Sequence, residues 1–143
     1  MCNLKDFLKT GKLGKIHIGI CIRDVIKILG KPELSTQIKP NIDIYKYGDL
    51  ELTFDCRIIK QIKISLNHNS PQIPNQLAKE IWSIKQSTKI EDLLDIIDNY
   101  EISWRVHEKW SFDRQLCLVT EAEVLLYFDL DRREFQSLLV TTN

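Results

Sequence analysis

His107, Glu108, Asp113 and Cys117 are the residue types that an acid–base or thiol site uses, and they lie close together in the chain. If this run is a strand, adjacent side chains point to opposite faces, so His107 and Glu108 do not meet. Cys117 sits between Leu116 and Leu118 with no nucleophile signature around it. The spacing therefore favours a solvated strand face, and no catalytic residue is assigned. Asp129, Asp131 and Glu134 could supply hard oxygen ligands to a cation. They lack the length and the glycine of a calcium loop, and Asp129 matches Asp55 at an equivalent hairpin, so turn chemistry is expected. Gly11-Lys12-Leu13-Gly14-Lys15 lacks the spacing of a phosphate loop. With Lys5 and Lys9 it is expected to form a solvated basic end. Cys2, Cys21, Cys56 and Cys117 are far apart, with no paired spacing and no histidine at ligand distance in sequence. The reading calls for no cofactor and no metal.

The aromatic residues are more informative. Trp82, Trp104, Trp110, Tyr45, Tyr47, Tyr100 and Tyr127 are many large amphipathic rings for a small protein. Trp104 and Tyr127 are expected in the core. Trp110 alternates with Glu108 along an expected strand, which sets an aromatic ring beside a charge on an outward face. Tyr45 and Tyr47 share a face in the same way. Exposed rings beside charge are what anchor protein interfaces. Tyr45, Tyr47, Glu108 and Trp110 are accordingly the expected partner-binding residues.

These residues need elements to hold them. Asn3 is a helix cap with Asp6 three positions on, and Gly11 a stop. Ile16, Ile18 and Ile20 alternate, which suggests an extended start before the next helix. Ile22, Val25, Ile26, Ile28 and Leu29 share a helical face that ends at Gly30-Lys31-Pro32. Pro32 to Pro40 is polar and reads as a loop. Strands are expected over 42–47, 49–55 and 58–66, because Leu50, Leu52 and Phe54 alternate cleanly. Asn67 to Asn75 is a turn-rich linker. A short helix over Gln76–Ile84 would turn Leu77, Ile81 and Ile84 inward. Thr88-Lys89-Ile90-Glu91 fits a capping box for a second main helix ending at Asp98-Asn99. Strand-like runs follow over 103–111, 114–120, 122–129 and 134–141, one more than in the first half.

The second half faintly repeats the first. Ile22-Arg23-Asp24-Val25-Ile26-Lys27-Ile28-Leu29 is echoed by Ile90-Glu91-Asp92-Leu93-Leu94-Asp95-Ile96-Ile97. Leu50-Glu51-Leu52-Thr53-Phe54-Asp55 is echoed by Val124-Leu125-Leu126-Tyr127-Phe128-Asp129. Ile59, Ile62 and Ile64 keep the spacing of Phe135, Leu138 and Val140. The expected fold is α+β, with two tandem helix plus antiparallel β-meander units, 1–70 and 71–143, in one compact domain.

The 143 residues carry 20 basic and 20 acidic side chains, so no net charge steers the chain toward nucleic acid or an anionic membrane. A chain of this length can bury enough surface to fold without disulfides or metal. No run is apolar enough for a signal peptide or a spanning helix, and a reduced cytoplasmic location is expected. Cys21 and Cys117, set in apolar patterns, are expected to be small buried hydrophobes.

Leu29-Gly30-Lys31-Pro32, followed by Tyr45-Lys46-Tyr47-Gly48-Asp49-Leu50-Glu51-Leu52-Thr53-Phe54, resembles a family of small uncharacterised bacterial proteins. Those share a helix ending in Leu-Gly-x-Pro and an aromatic-x-Tyr-Gly-Asp-Leu-Glu strand. The likeness covers about residues 14–66 and implies no activity. At the level of architecture, the helix–meander unit looks like outer-membrane assembly lipoproteins. Two such units in tandem look like the secreted protein inhibitor of β-lactamase. Those proteins act by binding other proteins through a sheet surface and its loops. This chain departs from them in showing no export signal and no lipid-attachment cysteine.

The resulting expectation is a non-enzymatic protein-binding module, an inhibitor or immunity-type protein that blocks a toxin or an enzyme. The alternatives are a small enzyme using His107, Glu108 and Asp113, and a structural homo-oligomer such as a homodimer.

Overall fold

Helix α1 (Leu4–Thr10) begins as its sequence dictates. The Asn3 side chain accepts the Asp6 N–H at 2.8 Å and the Asp6 carboxylate accepts the Asn3 N–H in return. These contacts come from a computed structural model that describes residues 2–78 and 82–142. Helix α2 (Ile22–Leu29) buries Ile22, Val25 and Leu29 and ends at Gly30, while Ile26 is exposed. Between α1 and α2 no strand forms. Leu13 and Ile16 make an isolated bridge and are fully buried, and Cys21 bridges Ile58.

Four strands follow: β1 (Leu34–Lys39), β2 (Ile42–Tyr47), β3 (Leu50–Asp55) and β4 (Ile58–Ser65). β1 lies inside the stretch expected to be a loop, and its six residues are all exposed. A strand with solvent on both faces has no apolar alternation to betray it. The β3–β4 connection is the two-residue turn Cys56-Arg57, both at positive φ, the geometry that matches strand twist.

Helix α3 (Ile90–Asn99) buries Leu93 and Ile97. It lacks the expected capping box: Lys89 is the cap residue and makes no side-chain bond, while the Thr88 hydroxyl accepts the Lys85 N–H at 2.9 Å. The described part of 76–84 is turn-like rather than helical, with Leu77 and Ile84 buried, and Ile81 lies outside the described residues. The run expected as a strand over 103–111 is broken. β5 (Trp104–Val106) stops short, and Glu108–Trp110 is a single 3₁₀ turn. Strands β6 (Gln115–Thr120), β7 (Leu125–Asp129) and β8 (Glu134–Thr141) complete the chain. Among the described residues the two halves thus contribute four strands each.

All eight strands form one antiparallel sheet in the order β1-β2-β3-β4-β8-β7-β6-β5. The protein is mixed α+β and mostly sheet. The halves meet at β4 and β8, with Ile62 opposite Val140 and Ile64 opposite Leu138. One face of the sheet carries Leu50, Leu52, Phe54, Leu126, Phe128 and Leu138, and the apolar sides of all three helices join the same cluster. That burial supplies the main stabilisation. The Thr120 hydroxyl donates to the Leu8 carbonyl at 3.2 Å, tying α1 to the second half. The linker is pinned to the first half by Asp49, whose carboxylate accepts the Gln72 N–H at 2.6 Å and the Asn67 side-chain amide at 3.2 Å.

Candidate binding face

The opposite face of the sheet can be read across the registers. Lys46 stands opposite Glu51, Glu51 opposite Lys63, Lys63 opposite Leu139, Leu139 opposite Leu125, and Leu125 opposite Val119. The β2–β4 half of this row is charged and the β8–β6 half is apolar. Beside it Tyr127 lies opposite both Ser137 and Cys117. Cys117, Val119 and Leu125 are buried here with Tyr127 and Leu139 packed against them, and among the described residues no helix residue joins this second cluster.

The segment after β5 turns into a wall beside these side chains. The His107 N–H donates to the Cys117 carbonyl at 2.8 Å. The Ser111 hydroxyl donates to that same carbonyl at 3.2 Å and accepts the Cys117 N–H at 2.9 Å. The wall leaves Trp110 41% and Phe112 54% exposed. Lys109 lies 5.3 Å over the Trp110 ring, and the Gln115 side-chain amide donates to the Trp110 carbonyl at 2.7 Å. Between this wall and the strands runs a cleft of about 600 Å³, lined by Gln61, Lys63, Phe112, Tyr127, Ser137 and Leu139 among others. Its outer lip carries an exposed Arg114–Asp131 ion pair at 3.3 Å.

Two of the four expected binding residues face the other way. Tyr45 pairs with Leu52 and Tyr47 with Leu50, so both tyrosines stand on the helix-covered face. Tyr47 is only 6% exposed and donates its hydroxyl to the Gly30 carbonyl at 2.9 Å. Tyr45 is half-buried, edge-on to Phe54 with 5.1 Å between ring centres. Tyr47 is closed off, while Tyr45 keeps part of its ring exposed. Glu108 and Trp110 are exposed, but they lie in a 3₁₀ turn rather than on one face of a strand.

The chemical candidates resolve individually. His107 and Cys117 are neighbours on the open face, while Glu108 lies in the turn and Asp113 at its rim with φ 51°. Burial pushes the Cys117 thiol up, away from the thiolate a nucleophile needs. The His107 Nδ1 atom is buried with no hydrogen-bond partner among the described residues. The Asp129 carboxylate accepts the N–H groups of Asp131 and Arg132, which is turn chemistry. Glu134 accepts from the Gln86 side chain at 3.0 Å. Among the described residues no group of three or more His, Cys, Asp or Glu converges as a metal site. Gly11 caps α1 with φ 70°, so the glycine–lysine run is a helix stop followed by a turn. The four cysteines are free, Cys117 buried and Cys21 partly so. Trp82 packs on Phe7 in the core, Trp104 reaches Asp98 at 3.3 Å from the rim of α3, and Tyr127 belongs to the open face instead of the core.

Phe112, Tyr127 and Leu139 are the cleft residues that sequence reasoning missed. The available signal was the unbroken apolar run Leu116–Val119, which reads as a strand buried on both faces rather than one.

Burial also pushes the Tyr47 and Tyr127 phenols up to about 12. In the unfolded chain they titrate near 10, roughly. The folded state thus keeps protons that the unfolded state releases, so this stability is intact below pH 10 and is lost as pH rises toward about 12. Urea unfolding across that window is expected to show a falling midpoint, less steep in Tyr127→Phe; an unchanged midpoint would contradict the burial of both rings.

Among the described residues, no helix is long and apolar enough to cross a membrane. No protein-family model, curated protein or solved structure matches this chain.

Proposed function

We propose that this chain is a non-enzymatic, cytoplasmic protein-binding module, an inhibitor or immunity-type protein that blocks a partner through the open face of its sheet. The observation that carries the reading is the exposed Phe112 ring on the edge of an uncovered cleft floored by Tyr127 and Leu139, with the exposed Trp110 ring two residues earlier in the same segment. Rings of this kind enter a partner surface with little loss of side-chain freedom, and they dominate binding energy where they are buried. Glu108 and Lys109 flank them with opposite charges and would set orientation more than affinity. The floor is graded from charged to apolar, so a partner loop would place its apolar tip over Leu139 and Tyr127 and its polar flank over Lys63 and Gln61.

The architecture supports the same reading. We infer that the halves are tandem units, α2 with β1–β4 and α3 with β5–β8, because the strand order runs outward from β4 and β8 in the same sequence on both sides. Two such units side by side make a sheet wide enough for a protein surface.

The reading is tested by affinity capture from cells that express the chain natively, comparing wild type with a Trp110→Ala, Phe112→Ala variant. An Ile26→Ser variant on the far, helical side serves as control. A stoichiometric protein retained by wild type and Ile26→Ser, and reduced at least about tenfold by the cleft variant, is the expected result. Equal retention by all three would remove the cleft from the account.

A further inference from the structure

We propose that β1 is the contact strand of a two-fold homodimer, in which the edges of two copies pair antiparallel about Thr36. β1 ends the sheet and has a neighbour on one side only, β2. The other end is closed off differently: β5 has three residues and runs straight into the 3₁₀ turn. Proteins that stay monomeric blunt such edges with charge, proline or brevity. β1 does none of this between its ends. It is six residues long, and Leu34 through Ile38 carry no charge and no proline. Leu34 and Ile38 are 62% and 57% exposed.

The occupant is identified by the strand's own order. Glu33-Leu34-Ser35-Thr36-Gln37-Ile38-Lys39 reads acid, apolar, polar, threonine, polar, apolar, base. An antiparallel partner of the same sequence, centred on Thr36, brings Glu33 opposite Lys39, Leu34 opposite Ile38 and Ser35 opposite Gln37, each twice. Every cross-strand pair is then of a favourable kind, with no like charges facing. Ile38 is the extra residue of a bulge on the β2 side, where Gln37 pairs with Asp43 and Lys39 with Ile42, so it has no partner in that ladder. Glu33 accepts the Gly48 N–H through one carboxylate oxygen at 3.1 Å, which holds the side chain at the start of the strand. Because each copy has one such edge, the assembly closes at two subunits rather than growing into a filament. The contact lies at the far end of the sheet from the Trp110–Phe112 wall, so it does not depend on the binding role of the cleft.

Sedimentation velocity of the full chain over micromolar to millimolar concentration tests this, with circular dichroism to verify folding. Wild type is expected to shift from monomer to a closed dimer, with no larger species. Leu34→Lys with Ile38→Lys, two changes at exposed positions, should abolish the dimer. Lys39→Glu alone and Glu33→Lys alone each set like charges opposite one another and should weaken self-association about tenfold. An equimolar mixture of those two single variants should restore the dimer as a heterodimer, because each variant edge then meets its opposite. A wild type that remains monomeric at millimolar concentration overturns the proposal. So does a dimer that persists in the Leu34→Lys, Ile38→Lys variant, or a mixture of the charge variants that fails to associate.

Discussion

Phe54→Ala is expected to destabilise the protein by about 3–5 kcal/mol, measured by denaturant unfolding at constant slope. Phe54 is fully buried on the helix-covered face of β3, opposite Ile59 of β4 and edge-on to the Tyr45 ring. It lies in the middle strands of the sheet, with ladder partners on both sides in Asp43 and Ile59, so the backbone around it cannot collapse easily into the space left behind. The lost transfer energy and the residual cavity therefore add. In a chain of this length the change corresponds to a melting temperature lower by roughly 10 °C. A cost below about 1 kcal/mol would mean that the site is not close-packed, and the assignment of the core to this face of the sheet would fail.

Gly48→Ala is expected to be nearly as damaging. Gly48 connects β2 to β3 with φ 63°, a conformation that costs a residue with a side chain about 1–3 kcal/mol. A Cβ there would also stand 2.6 Å from the Gln72 carbonyl oxygen, which is backbone and cannot swing aside. Relieving that contact pushes the linker away and strains two neighbouring bonds. The Asp49 N–H donates to the same Gln72 carbonyl at 2.9 Å, and the Gln72 N–H donates to the Asp49 carboxylate. The expected total is about 2–4 kcal/mol, with proteolytic nicking between Asn67 and Asn75 rising in parallel. An alanine variant as stable as wild type would show that the linker is not held against this turn. The packing also gives a physical reason for Tyr47-Gly48-Asp49: the first ring caps the end of α2, the glycine admits a neighbouring backbone, and the aspartate clamps it.

Those same residues show where the sequence was legible. The Asn3–Asp6 cap, the stop at Gly30 and the alternation of Leu50, Leu52 and Phe54 each rest on interactions within a few positions, and each element formed where local chemistry placed it. The departures at the sheet are matters of what lies opposite, whereas the Thr88 cap is lost to a local bond with the Lys85 N–H. Tyr45 and Tyr47 do share one face of β2, but Ile42 and Ile44 make the other face apolar too, so only the register with Leu50 and Leu52 decides which one is covered. β1 was invisible because an edge strand exposed on both faces needs no apolar pattern. The strand expected through Trp110 stops after the His107 bond to the Cys117 carbonyl, and the Ser111 hydroxyl takes the Cys117 N–H, a contact that no local spacing announces. The cleft followed from that one departure: once the chain turns at Glu108–Trp110, Phe112 is carried to the rim beside Tyr127.

The binding role of this face is tested most directly by photo-crosslinking in the native cell. A benzophenone side chain would replace Phe112 in one variant and Ile26 on α2 in another. The account predicts one discrete protein adduct from position 112, lost when Tyr127 and Leu139 are also changed to serine in a chain that still folds, and no such adduct from position 26. The same adducts from both positions, or none from position 112, would contradict a partner held in the cleft.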